Sequence, residues 1–137
     1  MQIVVSSSGN TLDAAVSPVF GRCAVFLFVD TETMEARAVP NPAMGASGGA
    51  GIQAAELVIR EGAGAVLSGN LGPNAMRVIE GAGVPFYAVA GGTVRAAVEA
   101  FRAGTLAPQS GPTVPTDFGK GAPGGRGAGG GRGRRGA

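Results

Sequence analysis

The alternation of short apolar segments with amphipathic helical segments is the feature that most limits how this chain can fold. After residue 50, three segments carry apolar residues at helical spacing, and short strand-like segments separate them. Three further strand-like segments come before the first helix, and the second and third of these are typical of a hairpin. The predicted order is β-β-β-α-β-α-β-α, with strands at 2–7, 23–30, 34–39, 65–68 and 85–89.

This order predicts the fold class and the helix ends. Alternating strands and helices favour parallel strands joined by right-handed crossovers, and the hairpin supplies one antiparallel strand. The predicted fold is therefore α/β, with a mixed, mostly parallel five-stranded sheet and three helices. Gly62 is typical of the residue that ends a helix, Pro73 of a first helical position and Thr93 of an N-cap.

Composition excludes several classes of protein. The chain has 137 residues, no histidine and a single cysteine, so histidine-dependent catalysis and histidine-ligated zinc are excluded. One cysteine forms no internal disulfide, and the composition therefore does not indicate a disulfide-stabilised secreted domain. No apolar run reaches the roughly 18 residues that a membrane span needs, and the chain opens in a strand-like segment rather than a signal peptide. We expect a cytoplasmic protein with no membrane association.

The C-terminal segment differs sharply in composition from the rest. From residue 107 onward the chain is mainly Gly, Pro, Arg and Ser, and it holds five of the 11 basic residues but one of the nine acidic ones. Such a segment buries too little apolar surface to offset its ordering entropy. We predict a folded domain at 1–106 and a disordered tail at 107–137. Arginine and glycine favour contact with nucleic acid, but no aromatic residue follows Phe118 to stack on bases, and a flexible extension is the preferred interpretation.

Glycine-rich loops precede all three predicted helices. The second and third loops follow strands directly and so lie at the carboxyl edge of the sheet, where open α/β sheets bind ligands. Helix N-termini direct free N–H groups and partial positive charge at such a site, and glycine lets a ligand approach the backbone. The alternative is that glycine only makes tight turns here. The predicted anion-binding residues are Gly49, Gly51, Gly69, Asn70, Gly72, Gly91, Gly92 and Thr93.

Nucleotide binding and catalysis are both disfavoured. Residues 49–54 match G-x-G-x-x-A, but this segment does not directly follow a strand, and the acidic residue that binds a ribose is absent about 20 residues later. A P-loop is excluded because the only lysine, Lys120, lies in the tail. The acidic residues are scattered rather than paired, so no constellation predicts an enzyme.

Cys23 has two interpretations. Arg22 beside it favours the thiolate, which is the form that binds metal. A lone cysteine at the start of an apolar strand is equally typical of a small buried hydrophobic residue.

Several short blocks resemble one known family. Residues 17–22 (Ser-Pro-Val-Phe-Gly-Arg), 69–75, 82–85 and 91–94 are similar in order and spacing to the dinitrogenase iron–molybdenum cofactor biosynthesis family, the NifX/NifB-type cluster-binding domain. The resemblance covers about residues 1–106. It implies a ribonuclease H-like fold and binding or carriage of an iron–sulfur or iron–molybdenum cofactor precursor, without turnover. It adds four residues to the expected site: Phe20, Gly21, Arg22 and Asn74.

One departure from the family bears on how metal would be held. Some members place a histidine just before the Phe-Gly-Arg block, where this chain has Val19. Cys23 is then the nearest expected ligand, and one thiolate is too few for a cluster that normally takes four protein ligands. The expectation is transient binding of a preassembled cluster, exchanged with a donor or acceptor protein, and a weak homodimer would add a second cysteine. The alternative is a binding module for a small anion or metabolite, without metal.

Overall fold

The fold is a single mixed sheet with helices on both faces. The computed structural model describes residues 1–43 and 49–109. The strands are β1 (Gln2–Ser7), β2 (Val25–Asp30), β3 (Ala36–Pro40), β4 (Val66–Ser68), β5 (Phe86–Ala88) and β6 (Pro108–Gln109). The helices are α1 (Ala50–Arg60), α2 (Pro73–Gly81) and α3 (Val94–Arg102), and a 3₁₀ turn covers Phe20–Arg22. Within the two described ranges, no helix combines the length and apolar character that crossing a bilayer requires.

The strand order is β3-β2-β1-β4-β5-β6. The chain forms parallel pairs between β1 and β4 and between β4 and β5, and β2 runs antiparallel to both of its neighbours. The predicted α/β class and the hairpin at one edge are confirmed. The prediction of a mostly parallel sheet is corrected, because three of the five pairs among the described strands are antiparallel. The predicted five strands become six, because Pro108–Gln109 pairs antiparallel with β5 beyond the predicted domain boundary at residue 106. The rest of the predicted tail, from residue 110, lies outside the described residues.

Side-chain alternation along the central strands divides the core into two halves. Val4 of β1 and Phe26 of β2 belong to the half covered by α1 and α2. Ile3, Val5 and Leu27, one position away, belong to the half covered by α3. Successive side chains of a strand point to opposite faces, so the continuous apolar runs of β1 and β2 serve both halves. The two faces of this sheet therefore carry different helices and, at their ends, different loops.

The helix ends follow the signals in the sequence. Gly62, just after α1, has a φ of +88°, which is the left-handed conformation that favours glycine at this position. Pro73 is the first residue of α2, and Thr93 caps α3 by accepting a hydrogen bond from the Ala96 amide at 3.1 Å. All three predicted roles are confirmed.

Candidate functional site

A cleft of about 330 Å³ opens beyond the carboxyl end of β4. Three pieces of backbone form its walls: the segment that contains the 3₁₀ turn, the first turn of α1 and the first turn of α2. This is the edge of the sheet where the glycine-rich loops were expected to meet. Its lining residues are Val19, Phe20, Gly21, Gly49, Ala50, Gly51, Ile52, Asn70, Gly72, Pro73, Asn74 and Ala75.

Close backbone contact explains two of the glycines at this edge. A Cβ on Gly21 would lie 3.1 Å from both Cα and N of Gly51, so the 3₁₀ turn packs directly on the start of α1. A Cβ on Gly69 would lie 2.6 Å from Cα of Pro18, closer than real Cβ contacts come. Gly69 therefore brings the 17–20 segment against the β4–α2 loop and is not itself among the lining residues. A Cβ on Gly72, by contrast, would have no heavy atom of the described residues within 4 Å, so Gly72 faces open space.

The two helix starts in the cleft lack side-chain caps. Gly49 is the N-cap of α1 and Gly72 is the N-cap of α2, and within the described residues neither position has a side-chain cap hydrogen bond. The first amides of a helix have no acceptor within the helix. As far as residues 1–43 and 49–109 are concerned, no side chain caps these amides, so their hydrogen-bonding capacity and the positive end of the helix dipole are available to a ligand.

The described lining of the cleft contains neither charged side chains nor side chains of the usual metal-ligand types. Val19 (46% exposed) and half-buried Ile52 are apolar lining residues, and Asn70 and Asn74 are the lining residues with polar side chains. Across residues 1–43 and 49–109, there is no group of three or more His, Cys, Asp or Glu placed to hold a metal ion. These lining residues thus offer N–H donors to an anion, without carboxylates to repel it and without ligands to coordinate a bare metal.

The third helix start lies elsewhere, which corrects the expectation of one crevice shared by all three. Gly91, Gly92 and Thr93 are not among the lining residues, and α3 packs on the opposite face of the sheet from α1 and α2. Its first amides are already bonded: Val94 N donates to Ala14 O at 2.9 Å, and Arg95 N donates to Leu12 O at 2.8 Å. With these acceptors in place, the α3 start has little capacity left for an anion.

Cys23 lies in the core beneath the 3₁₀ turn, and its side chain is 1% exposed. Burial raises the pKa of the Cys23 thiol to about 12, against smaller lowering effects of nearby backbone and Asn41 hydrogen bonds. At neutral pH this side chain is a thiol, so the expectation that Arg22 favours a thiolate here is corrected. Arg22 is exposed at the end of the 3₁₀ turn and is not among the lining residues.

The two expected asparagines have different surroundings. Asn70 donates from Nδ2 to Pro18 O at 3.0 Å, and its own carbonyl accepts from Phe20 N at 3.2 Å. Asn70 therefore holds the wall of the cleft as well as lining it. Asn74 is exposed at the second position of α2 and is one of the residues that line the cleft.

Sequence reasoning missed five of the described lining residues. The glycine-rich loops indicated where α1 and α2 begin, but apolar neighbours in those first turns carry no chemical signal of their own. Proximity to the loops was the only available indication for the four in α1 and α2, and Val19 was marked only as the position where some family members have a histidine. The missed residues are Val19, Ala50, Ile52, Pro73 and Ala75.

A family model, two solved structures and one further relative match most of this chain. A family model described as "Dinitrogenase iron-molybdenum cofactor" matches residues 1–104. The structure of the apo form of the orange protein from Desulfovibrio gigas superposes with a TM-score of 0.79 at 40% identity, over 82% of this chain and 95% of that one. A Thermotoga protein described as a candidate NifB gives a TM-score of 0.68 at 32% identity, over 78% and 91%. An uncharacterised Methanocaldococcus jannaschii protein is 29% identical over 109 residues, 77% of this chain and 89% of that protein.

Proposed function

The chain belongs to the dinitrogenase iron–molybdenum cofactor family, and from this premise we propose that it carries a preassembled, anionic metal cluster in the cleft. The cluster is an iron–sulfur or iron–molybdenum cofactor precursor, received from a donor protein and passed to an acceptor protein. The chain itself performs no turnover in this proposal. Binding is reversible in this proposal, because N–H groups hold the cargo by hydrogen bonds and form no coordinate bonds to its metal atoms.

The observation that carries the proposal is the pairing across one cleft of two helix starts that no described side chain caps. Each helix start contributes roughly half a unit of positive charge. The first turn of α1 has amides at Ala50, Gly51 and Ile52, and that of α2 has amides at Asn74 and Ala75, because Pro73 has no N–H. None of the described lining residues has an acidic side chain to oppose them. The 330 Å³ cleft is also large enough for a small polynuclear cluster rather than a single ion. Charge-assisted hydrogen bonds from fixed amides are stronger than neutral ones, and the backbone donors need no reordering on binding.

The lack of metal ligands among the described lining residues indicates which ligands the cargo must carry itself. Fe–S clusters are normally held by cysteine thiolates, and Cys23 is neither ionised at neutral pH nor among the lining residues. The cargo must therefore arrive with its own sulfide or thiolate ligands, which makes it anionic. This feature supports transient carriage over permanent residence of a cofactor.

Two relatives support the same assignment. The orange protein was solved in an apo form, a term used for a protein without its bound group, and the Thermotoga protein is described as a NifB candidate. The order β3-β2-β1-β4-β5 with β2 antiparallel also supports the ribonuclease H-like fold that the family resemblance implies. We include that fold assignment, and a folded domain followed by a basic tail, in the proposal.

The test uses a preassembled iron–sulfur cluster with mercaptoethanolate ligands, mixed anaerobically with the full chain and desalted over a range of cluster concentrations. The wild-type protein should retain iron. Gly72→Asp should weaken the apparent affinity at least about tenfold, a loss of ~1.4 kcal/mol. The introduced carboxylate would cap the α2 amides and add negative charge beside the cargo. The backbone of Gly72, with φ −74° and ψ 170°, accepts this side chain, so the stability of the fold should not fall.

Two variants complete the test. Thr93→Asp adds the same charge at the N-cap of α3, outside the cleft, and should retain iron like the wild-type protein. Cys23→Ala should also retain iron. If iron retention is lost in Cys23→Ala but kept in Gly72→Asp, the cluster binds at the thiol and the proposed cleft is wrong. If the cluster is not retained and inorganic phosphate stabilises the wild-type protein with a chelator present, the alternative of a metal-free anion site is favoured.

A further inference from the structure

One wall of the cleft is an irregular segment held from two sides. Residues 18–23 contain only the short 3₁₀ turn Phe20–Arg22, yet Val19, Phe20 and Gly21 all line the cleft. On one side, Asn70 binds Pro18 and Phe20 through its side chain and its carbonyl. On the other side lies Asn41, which follows β3 directly and is not among the lining residues.

Asn41 is a buried cross-link. Its side chain is 7% exposed, and Nδ2 donates to Gly21 O at 3.1 Å and to Cys23 O at 3.0 Å. Its Oδ1 accepts from Ala43 N at 2.9 Å, which fixes the orientation of the amide. An NH₂ group has two donors, and here both are used on two carbonyls of the same wall segment.

The position of Gly21 is transmitted to α1. A Cβ on Gly21 would lie 3.1 Å from the backbone nitrogen and Cα of Gly51, so the two backbones are already in close contact. Gly51 belongs to the first turn of α1, whose amides face the cleft. A shift of Gly21 by a few tenths of an ångström therefore moves the wall relative to the α1 amides, since closely packed atoms transmit such displacements.

We propose that Asn41 is a positioning residue for the cleft: by holding Gly21 and Cys23 it sets the separation between the 3₁₀ turn and the amides that begin α1. The nature of the cargo rests on the proposed function, but the positioning role does not. Asn41 acts on the ligand through the wall and touches no ligand itself.

The central variant is Asn41→Asp. It keeps the shape of the side chain and replaces two donors with a carboxylate oxygen that faces two carbonyl oxygens. The amide resonances of Gly21 and Gly51 in the protein without cargo should shift, while that of Ala96 in α3 should not. Retention of the mercaptoethanolate-ligated iron–sulfur cluster should fall at least about fivefold. Asn10→Asp, at an exposed position, makes the same chemical change and should alter neither measurement.

A pH titration separates positioning from general loss of structure. Protonation of the introduced carboxyl restores one donor, so the Gly21 and Gly51 resonances of Asn41→Asp should move back toward the wild-type values as the pH falls. If Asn41→Asp does not fold, Asn41→Ser, which keeps one hydroxyl donor, should give the same resonance shifts at smaller amplitude.

The outcomes distinguish this inference from the proposed function. Unchanged Gly21 and Gly51 resonances in a folded Asn41 variant would overturn the positioning role, whatever the iron retention. Shifted resonances with full iron retention would also overturn it, because the wall would have moved without consequence for the cargo. If the wild-type protein retains no iron, the proposed function fails, and shifted, pH-reversible resonances would still support the positioning role of Asn41.

Discussion

The helix starts on the two faces of the sheet follow similar glycine-rich loops, but they are capped differently. On the cleft side, α1 and α2 begin at Gly49 and Gly72, with no side-chain cap from the described residues. On the other side, the carbonyls of Ala14 and Leu12 accept hydrogen bonds from the first two amides of α3, and the Thr93 hydroxyl accepts from the third. A glycine-rich loop before a helix is therefore not enough to make a ligand site. A ligand site also requires that no other part of the chain accepts hydrogen bonds from the first amides of the helix.

The glycines of the two regions also differ in physical role. At the cleft edge Gly69 is required because another backbone comes too close for a side chain, with Pro18 Cα 2.6 Å from the position of a Cβ. Before α3, Gly92 has a φ of +86° and open space around it, so its backbone conformation is what favours glycine. The first role fixes one loop against another, and the second only turns the chain.

The largest expected effect tests this difference directly. Gly69→Ala should destabilise the protein by about 3 kcal/mol, because the new methyl group overlaps the backbone of Pro18 rather than a movable side chain. Urea denaturation at neutral pH measures the change. Gly72→Ala is the matched control, since its φ of −74° suits alanine and a Cβ there would have no heavy atom of the described residues within 4 Å. This variant should change the free energy of unfolding by less than about 0.5 kcal/mol. Equal losses in both variants would contradict the close-contact role of Gly69.

The sequence predicted the element order and the sites where helices begin, but not the face on which each helix lies. Gly62, Pro73 and Thr93 carry local signals, and these predictions are confirmed. The position of α3 is set by contacts with distant parts of the chain: it packs on Ile3 and Val5 of β1, and its first amides bond to carbonyls of the segment after β1. Such contacts leave no local signal in the sequence.

Non-local contacts also account for what the sequence left out of the site. Asn41 is marked in the sequence only by prolines on both sides, and its importance lies in hydrogen bonds to Gly21 and Cys23 about 20 residues away. Likewise, Cys23 belongs to a buried cluster that includes Phe20 and Phe26, whose ring centroids are 5.1 Å apart. Arg22 beside it in sequence gave the opposite expectation.

The second prediction concerns the buried thiol of Cys23, which lies in the half of the core covered by α1 and α2. Its pKa rises from an ordinary value of 9.0 to about 12 in the folded protein, so above pH 9 the unfolded chain loses a proton that the folded chain keeps. Stability from this group is fully present below pH 9 and should fall by about 1.4 kcal/mol per pH unit between pH 9 and 12. Urea unfolding of wild-type and Cys23→Ala proteins across this range isolates the contribution. Parallel curves for the two proteins would show that Cys23 ionises normally and is accessible to water.

The third prediction removes the feature that closes the α3 start. Thr93→Ala deletes the hydroxyl that accepts from Ala96 N, and it should destabilise the protein by about 1 kcal/mol. Iron retention from the mercaptoethanolate-ligated cluster should not change, because Thr93 lies outside the cleft. Thr93→Ser keeps the hydroxyl and should restore most of the stability. A loss of iron retention in Thr93→Ala at full stability would break the distinction between the two regions.

The smallest expected effect is at Asn74, whose side-chain amide can donate a hydrogen bond to the ligand. It is exposed at the second position of α2 and lines the cleft, so Asn74→Ala should remove one neutral donor while leaving the backbone amides in place. Because a neutral hydrogen bond contributes about 0.5–1.5 kcal/mol net, the apparent affinity for the iron–sulfur cluster should fall only a few-fold, measured by the same desalting series. Asn74→Asp should cost more, since it adds negative charge to the same position. If Asn74→Ala abolished binding altogether, the side chain and not the uncapped helix starts would hold the cargo, and the contrast between the cleft and the α3 start would lose its physical basis.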